Sequence, residues 1–277
     1  ILPKMESAGY PVAPYIWFKD NKDPKKGLFG GSSPPRLSNT YAPLQNRPGL
    51  LIETHMLKDY KTRVEATYTF LQTILEYFIT DNSSLKVAVR IADKQTISKL
   101  ENPFPISFTT TEHADTIKYF GYKAIIESSE VSGTEWVRWK NEPDNVNIPW
   151  FNDVKVKQSV VPPYAYLIPA QWKNVIRVLE LHGIKLERLE KQTELNVESF
   201  RCSNQKWQER SYEGRHPVTY NVEKFSEKKF FPKGTIVVRL YQRTAKIAVH
   251  LLEPEAPDAL VAWGFFDVIF EQKEYAE

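Results

Sequence analysis

The chain has 277 residues, 42% hydrophobic, 13% aromatic and 26% charged, a composition that excludes a disordered polymer and is long enough for two compact bodies. Its 37 Lys and Arg against 34 Asp and Glu leave a formal +3 with no dense basic tract, so nucleic acid is not an expected partner. No run approaches the roughly 20 apolar residues of a membrane-spanning helix, and one cysteine, Cys202, excludes both an intrachain disulfide framework and a Cys-based zinc cluster.

The opening ILPKMESAGYPV has neither a basic n-region nor an apolar h-region, and its first residue is Ile1, so the start is expected to be internal to a longer polypeptide. Up to Gly49 the text is rich in turn formers, with DNKDPKKG at 20–27 and GGSSPPR at 30–36, which predicts mostly loop. Leu50-Leu51-Ile52 is a short apolar run after Pro48-Gly49 and predicts a strand buried in a parallel α/β sheet. Glu53 then falls at the strand's carboxyl end, where such sheets bind ligands. A helix follows, with Thr62-Arg63-Val64-Glu65 as a capping box. Val64, Tyr68, Leu71, Ile74, Leu75 and Phe78 form an apolar stripe expected to pack on the sheet.

The turn cluster at 81–84 marks the expected domain boundary. Beyond it the pattern shifts to short alternating runs: KVAVRIA at 86–92, ISFTTTE at 106–112, YKAIIESSEV at 122–131 and WVRWK at 136–140. AYLIP at 165–169 leads into a helix whose Trp172, Val175, Ile176 and Leu179 share a face, ended by Gly183 and followed by the strand IKLERL at 184–189. Further strands are predicted at 197–201, 235–241 and 246–252, with a short helix at 257–263. The predicted fold class is therefore α/β over residues 1–81, followed over 82–277 by a mainly β domain with an embedded βαβ unit.

The chemistry available is limited. Five histidines stand at 55, 113, 182, 216 and 250, and there is no HExxH, phosphate-binding Gly loop, GxSxG or CxxC. The segment that reads like a site is NRPGLLIETHMLKDYKTRV at 46–64, where Glu53 and His55 would share a side if the strand stays extended. His250-Leu251-Leu252-Glu253 also spells HxxE, but at the end of the alternating run KIAVHLL before Pro254 it reads as structural.

Arg47 to Val64 resembles the catalytic-glutamate strand of the carboxypeptidase A-like zinc peptidases, in the bacterial subgroup spelled RP-x-LL-x-ETH-x-LK-x-Y-x-x-RV. The similarity extends to GGSSPPRLSNTYAPLQN upstream, and to PPYAYLIPAQWKNVI at 162–176 and LLEPEAPDALVAWGFFDVIFEQKEY at 251–275. The resemblance implies a metallocarboxypeptidase that hydrolyses a peptide or related amide bond. Zinc would polarise the carbonyl and acidify a bound water, with Glu53 as general base. It offers His55 as a candidate for orienting Glu53 or contacting a peptide or peptide-like substrate, and Lys58, Arg63 and Arg36 as candidates for holding a substrate carboxylate; Tyr60 also follows the spelling. An exported setting, periplasmic or extracellular, is likewise implied.

The family's HxxE and later histidine zinc ligands precede the glutamate, and residues 1–52 contain no histidine. No metal ligand is therefore assigned in this chain. Zinc is expected in a missing N-terminal part of the same polypeptide, and the fragment alone is expected to be inactive; the apolar face of residues 50–79 is expected to be covered by that part or by a partner molecule, or else the first 50 residues are expected to be disordered. The alternative is a non-catalytic peptide- or carbohydrate-binding β module, motivated by Trp136, Trp139, Trp150 and Trp207; coplanar exposed tryptophans would favour it.

Overall fold

The computed structural model describes residues 1–15, 17–80, 82–272 and 274, with Asn82 described by its backbone alone. Asp81 of the expected turn, and Lys273 and Tyr275 of the last similar stretch, lie outside the described residues. In chain order the elements are α1 (Leu2–Ser7), β1 (Leu28–Phe29), α2 (Ser38–Leu44), α3 (Tyr60–Thr80), α4 (Asn82–Ser98), β2 (Phe104–Thr110), β3 (Asp115–Ser128), β4 (Glu135–Phe151), β5 (Val154–Val160), β6 (Ala165–Ile168), α5 (Lys173–Leu181), β7 (Glu187–Arg188), β8 (Thr193–Trp207), β9 (Val218–Phe231), β10 (Ile236–Arg239) and α6 (Ala245–Leu252). The fold is mixed α/β. Two compact units divide it, one of Ile1–Ser32, Ile52–Asn82 and Phe108–Val156, the other of Ser33–Leu51, Ser83–Ser107 and Lys157–Glu277. The chain passes between them several times, so these units do not coincide with a single division at residue 82.

The first unit is built on the antiparallel hairpin of β3 and β4, paired from Asp115 opposite Trp150 to Ser128 opposite Glu135. β1 runs parallel to the end of β4, with Leu28 opposite Trp150. Leu28, Tyr119 and Ile148 form a small buried cluster with Phe18, Ile117, Val146 and Trp150 around it. The outer part of the hairpin stays exposed, and strand alternation puts Trp136 and Trp139, three residues apart, on opposite faces.

α3 begins earlier than the capping box predicts. Asp59 supplies the cap: its Oδ1 accepts from the Thr62 amide at 2.9 Å and its Oδ2 from the Thr62 hydroxyl at 2.6 Å. Thr62 is thus the third helical residue and not the cap. The face that α3 buries is the less apolar one, with Phe70 and Thr73 inside and Met5 of α1 against Thr73, Sδ to Oγ1 4.0 Å. Tyr10 donates to Glu65 at 2.9 Å and Lys4 pairs with Glu76. The predicted stripe faces outward: Val64, Tyr68, Leu71, Leu75 and Phe78 are 36% to 67% exposed.

The second unit holds the larger core. In its three-stranded sheet β10 lies between β6 and β7, antiparallel to both, with Ile236 opposite Ile168 on one side and Arg188 on the other. β6, α5 and β7 therefore make the predicted βαβ unit with a third strand inserted between its parallel strands. α5 buries Val175, Ile176 and Leu179, the predicted face, and Gly183 follows it at φ +72°. Buried on them are Ile236 and Val238 of β10, Ile247 and Val249 of α6, and Phe104, Ile106 and Val160 from the paired strands β2 and β5. β8 and β9 form a second long hairpin, from Thr193 opposite Phe231 to Trp207 opposite Val218.

Four further sequence expectations are corrected. Residues 86–92 are helical within α4, whose less exposed positions 85, 89, 92, 93 and 96 recur at helical spacing. Residues 246–252 are helix α6, apolar nearly all round because it is buried nearly all round. Residues 257–263 form successive turns with no helix. Leu50-Leu51-Ile52 is not a buried strand: it is irregular, with Leu50 62% and Leu51 56% exposed. A strand of a parallel sheet is fixed by its neighbours' ladders, and no described strand pairs with this one.

Candidate functional site

The stem of the candidate segment is firmly held. After α2 the chain turns at Asn46, a buried residue at φ +57°, where the Asn46 amide donates to Pro43 O at 2.9 Å and the Arg47 amide to Ala42 O at 3.0 Å. Arg47 grips Asp93 of α4 through two hydrogen bonds, 3.0 and 3.1 Å, and that contact foremost holds the Asp93 carboxyl below its ordinary range. Gly49 packs against α2 so closely that a Cβ there would lie 2.7 Å from Ala42 Cβ.

Past this stem, Glu53 is exposed and, among the described residues, makes no hydrogen bond or ion pair. His55 is also exposed and folds back on its own turn: Nδ1 accepts from the Leu57 amide at 3.2 Å, and its carbonyl accepts from the Lys58 amide at 3.0 Å. No described hydrogen bond joins Glu53 to His55. Lys58 is exposed with no described side-chain partner. Arg63 lies on α3 with its guanidinium 5.9 Å from the Tyr60 ring centroid, and its Nε is buried without a hydrogen-bond partner. Thr54, Tyr60, Arg63, Val64, Thr67, Tyr68 and Leu71 line an open groove of about 400 Å³ along that helix.

Arg36 belongs to the other unit and is already engaged. Its amide donates to Asp258 at 2.8 Å, its guanidinium pairs with the same carboxylate at 3.1 Å, and it lies 5.5 Å from the Trp263 ring centroid. Nothing in the sequence around Arg36 marked Asp258 as its partner, because 222 residues separate them.

Carboxypeptidase 2 of Trichophyton rubrum and of Trichophyton equinum are each 29% identical to the chain over 106 residues, 38% of this chain and 20% of the relative. The probable carboxypeptidase 2 of Arthroderma benhamiae is 29% identical over 98 residues, 35% of this chain and 19% of the relative. These matches support a carboxypeptidase-like relationship. The chain spans about a fifth of the length of these relatives. No family model matches the chain, and no solved structure matches it.

Such a relationship raises the question of a metal. Among the described residues, no three His, Cys, Asp or Glu side chains group so as to hold one. The described residues therefore do not by themselves fit the zinc that the resemblance implies. His250 and Glu253 lie on and just after α6, where the sequence had placed them on a strand and a turn. Glu253 is buried and accepts from the Tyr166 hydroxyl at 2.6 Å; the His250 ring meets Phe104 edge-on at 5.7 Å. Among the described residues no helix is long and apolar enough to cross a membrane.

Burial pushes His250 from its ordinary 6.5 down to about 4, partly opposed by the negative charge of Asp258. The folded state thus keeps the ring neutral where the unfolded chain would already be protonated. This contribution to stability is whole above pH 6.5 and is lost as pH falls toward 4, by about 3 kcal/mol. In His250→Gln, the urea midpoint should therefore fall less between pH 7 and pH 4.5 than it does in the parent. Equal falls would show that another group carries the acid sensitivity.

The alternation of Trp136 and Trp139 bears on the binding-module alternative. Side chains on opposite faces of one ribbon do not make a shared stacking platform. A second observation bears on the peptidase reading: after Glu53, Met56 is 80%, Leu57 81% and, on α3, Leu75 61% exposed.

Proposed function

We propose that this chain is the C-terminal portion of a zinc metallocarboxypeptidase hydrolysing peptide or related amide bonds, with Glu53 as its general base. The observation that carries the reading is the spelling Arg47-Pro48 through Glu53-Thr54-His55 to Arg63-Val64, in a chain similar to fungal proteins named carboxypeptidase 2. A carboxylate in that role accepts a proton from the attacking water and returns it to the departing amine. Glu53 is free to serve, being exposed and without a described partner.

The outward apolar stripe of α3 supports the companion proposal, that another part of the same polypeptide covers it. That part would hold the zinc and complete the cleft for a peptide or peptide-like substrate, and the chain by itself would be inactive. His55, Lys58 and Arg63 remain the proposed substrate or orienting contacts on this side. Arg36 is a weaker member of that set, its charge being already paired with Asp258. An exported enzyme, periplasmic or extracellular, fits the same reading.

The decisive measurement is zinc stoichiometry on metal-replete protein, for this chain and for a longer polypeptide that includes the preceding sequence. The expected result is about one zinc per longer polypeptide and none on this chain. Equimolar zinc on this chain alone would overturn the placement of the ligands. A zinc-free longer polypeptide that still trims peptides would overturn the metalloenzyme reading.

A further inference from the structure

The hairpin of β3 and β4 in the first unit is, over most of its length, a ribbon of only two strands. β1 meets β4 only at Trp150 and Phe151, and β3 is an edge strand of its sheet. Residues directly opposite each other share a face. Ala124 with Trp139 and Ile126 with Val137 therefore stand on one side, and Ile125 with Arg138 and Glu127 with Trp136 on the other. Ile126 is 52% exposed and both tryptophans are 46% exposed. A lone two-stranded ribbon buries little of either face and is marginal in water, and pairing with further strands is what stabilises one.

The two open edges of the ribbon differ. β4 carries Pro143 and Pro149, which have no amide to donate, and its pairing with β3 is irregular between them and the tip, where residues 140–142 stand opposite Lys123 alone. Such features obstruct an added strand. β3 is free of proline from Asp115 to Ser128, and its residues 122–128 offer an unbroken edge.

The segment whose side chains match this edge is the edge itself. A second copy running antiparallel about a two-fold axis at Ile125 sets Glu127 opposite Lys123, Ile126 opposite Ala124, and Ile125 opposite its own counterpart. The symmetry makes the Lys123–Glu127 pair twice. A shift of register by two residues puts Lys123 or Glu127 against Ile125 instead, so the charges select one alignment. On one face of the joined sheet, Trp139 and Ala124 of one copy continue into Ile126 and Val137 of the other, with the symmetry-related row beside them, and the face is apolar throughout. On the opposite face Glu127 keeps its present pair with Arg138 and gains Lys123 of the second copy.

We infer that two copies of this chain associate through residues 122–128 of β3, paired antiparallel about Ile125 so that their hairpins join into one four-stranded sheet. The partner is a second copy because the charges along this edge complement themselves in reverse order. The association does not depend on the role of Glu53.

Sedimentation velocity of the full-length protein over a range of concentrations tests this, with Lys123→Glu and Glu127→Lys as variants. The parent should sediment as a dimer. Each variant alone sets like charges against each other at both pairs and should raise the dissociation constant at least about tenfold. An equimolar mixture of the two variants makes every cross-copy pair opposite in charge again, and should return to within about threefold of the parent. The mixture still lacks the Lys123–Glu142 and Arg138–Glu127 pairs within its hairpins, so its recovery would not come from the hairpin's own stability.

A parent that stays monomeric overturns the proposal. A dimer that neither variant weakens also overturns it, since the copies then meet elsewhere, and so does a mixture that does not recover. If the variants do not fold, amide hydrogen exchange in the parent decides: the amides of 122–128 that point away from β4 should exchange more slowly as the dimer forms. Exchange at those amides that does not change with concentration overturns the proposal, and their protection in a monomer would assign the edge to another segment of the polypeptide.

Discussion

Replacing Glu53 by Gln in the full-length protein is expected to lower kcat for release of a C-terminal residue by about 10²–10⁴-fold, with KM within about twofold. The amide matches the carboxylate in size and still accepts a hydrogen bond, but it does not take up a proton near neutral pH. The loss should therefore fall on the chemical step and spare substrate binding. Stability should hardly change, since Glu53 is exposed and has no described partner to leave unpaired. An active Glu53→Gln enzyme would remove the proposed base. A variant that lost zinc as well as activity would point to a role at the metal and away from proton transfer.

Leu179→Ala should destabilise the second unit by about 2–5 kcal/mol, read as a fall in the denaturant midpoint at constant slope. Leu179 is fully buried in α5 beneath the sheet, among Val175, Ile176 and Ile184. Removing its isobutyl group deletes apolar burial and leaves a cavity that a packed core refills only in part. Leu181, two residues on and 77% exposed, is the internal control, and its Ala variant should shift stability by no more than about 0.5 kcal/mol. Equal shifts at the two positions would mean that α5 does not dock by the face described.

The contrast between those two leucines shows where the sequence was legible. Around α5 every local signal agreed: Trp172, Val175, Ile176 and Leu179 recur at helical spacing, Gly183 terminates, and short apolar runs flank the helix. Residues 246–252 were misread because Ile247, Val249 and Leu251 alternate, while Ala248 and His250 between them are buried too. A short segment buried on every side carries no periodicity to choose helix over strand. At 86–92 the alternation of Val87, Val89 and Ile91 concealed the residues that matter, Leu85, Val89, Ala92 and Thr96, which face inward at helical spacing.

The site was legible in a narrower sense. The order of residues from Arg47 to Val64 marked the segment, but the partners of its stem, Asp93 for Arg47 and Thr96 and Lys246 for Asn46, lie 46 to 200 residues away. Such partners are chosen by the packing of α2, α4 and α6, and no short-range pattern encodes them. The stripe of α3 was read correctly as a stripe and wrongly as buried. Periodicity identifies which residues share a face but not whether anything lies against it.

The place of β10 between β6 and β7 has a consequence for synthesis. Both outer strands precede it in the chain, β6 by about 70 residues and β7 by about 50, so neither has its partner until residues 236–239 leave the ribosome. At about 5–20 residues per second, β7 waits roughly 2–10 s with its inner edge unpaired. Over that interval the nascent chain presents open backbone edges to other chains. A polypeptide stopped before Ile236 would keep those edges permanently and should aggregate.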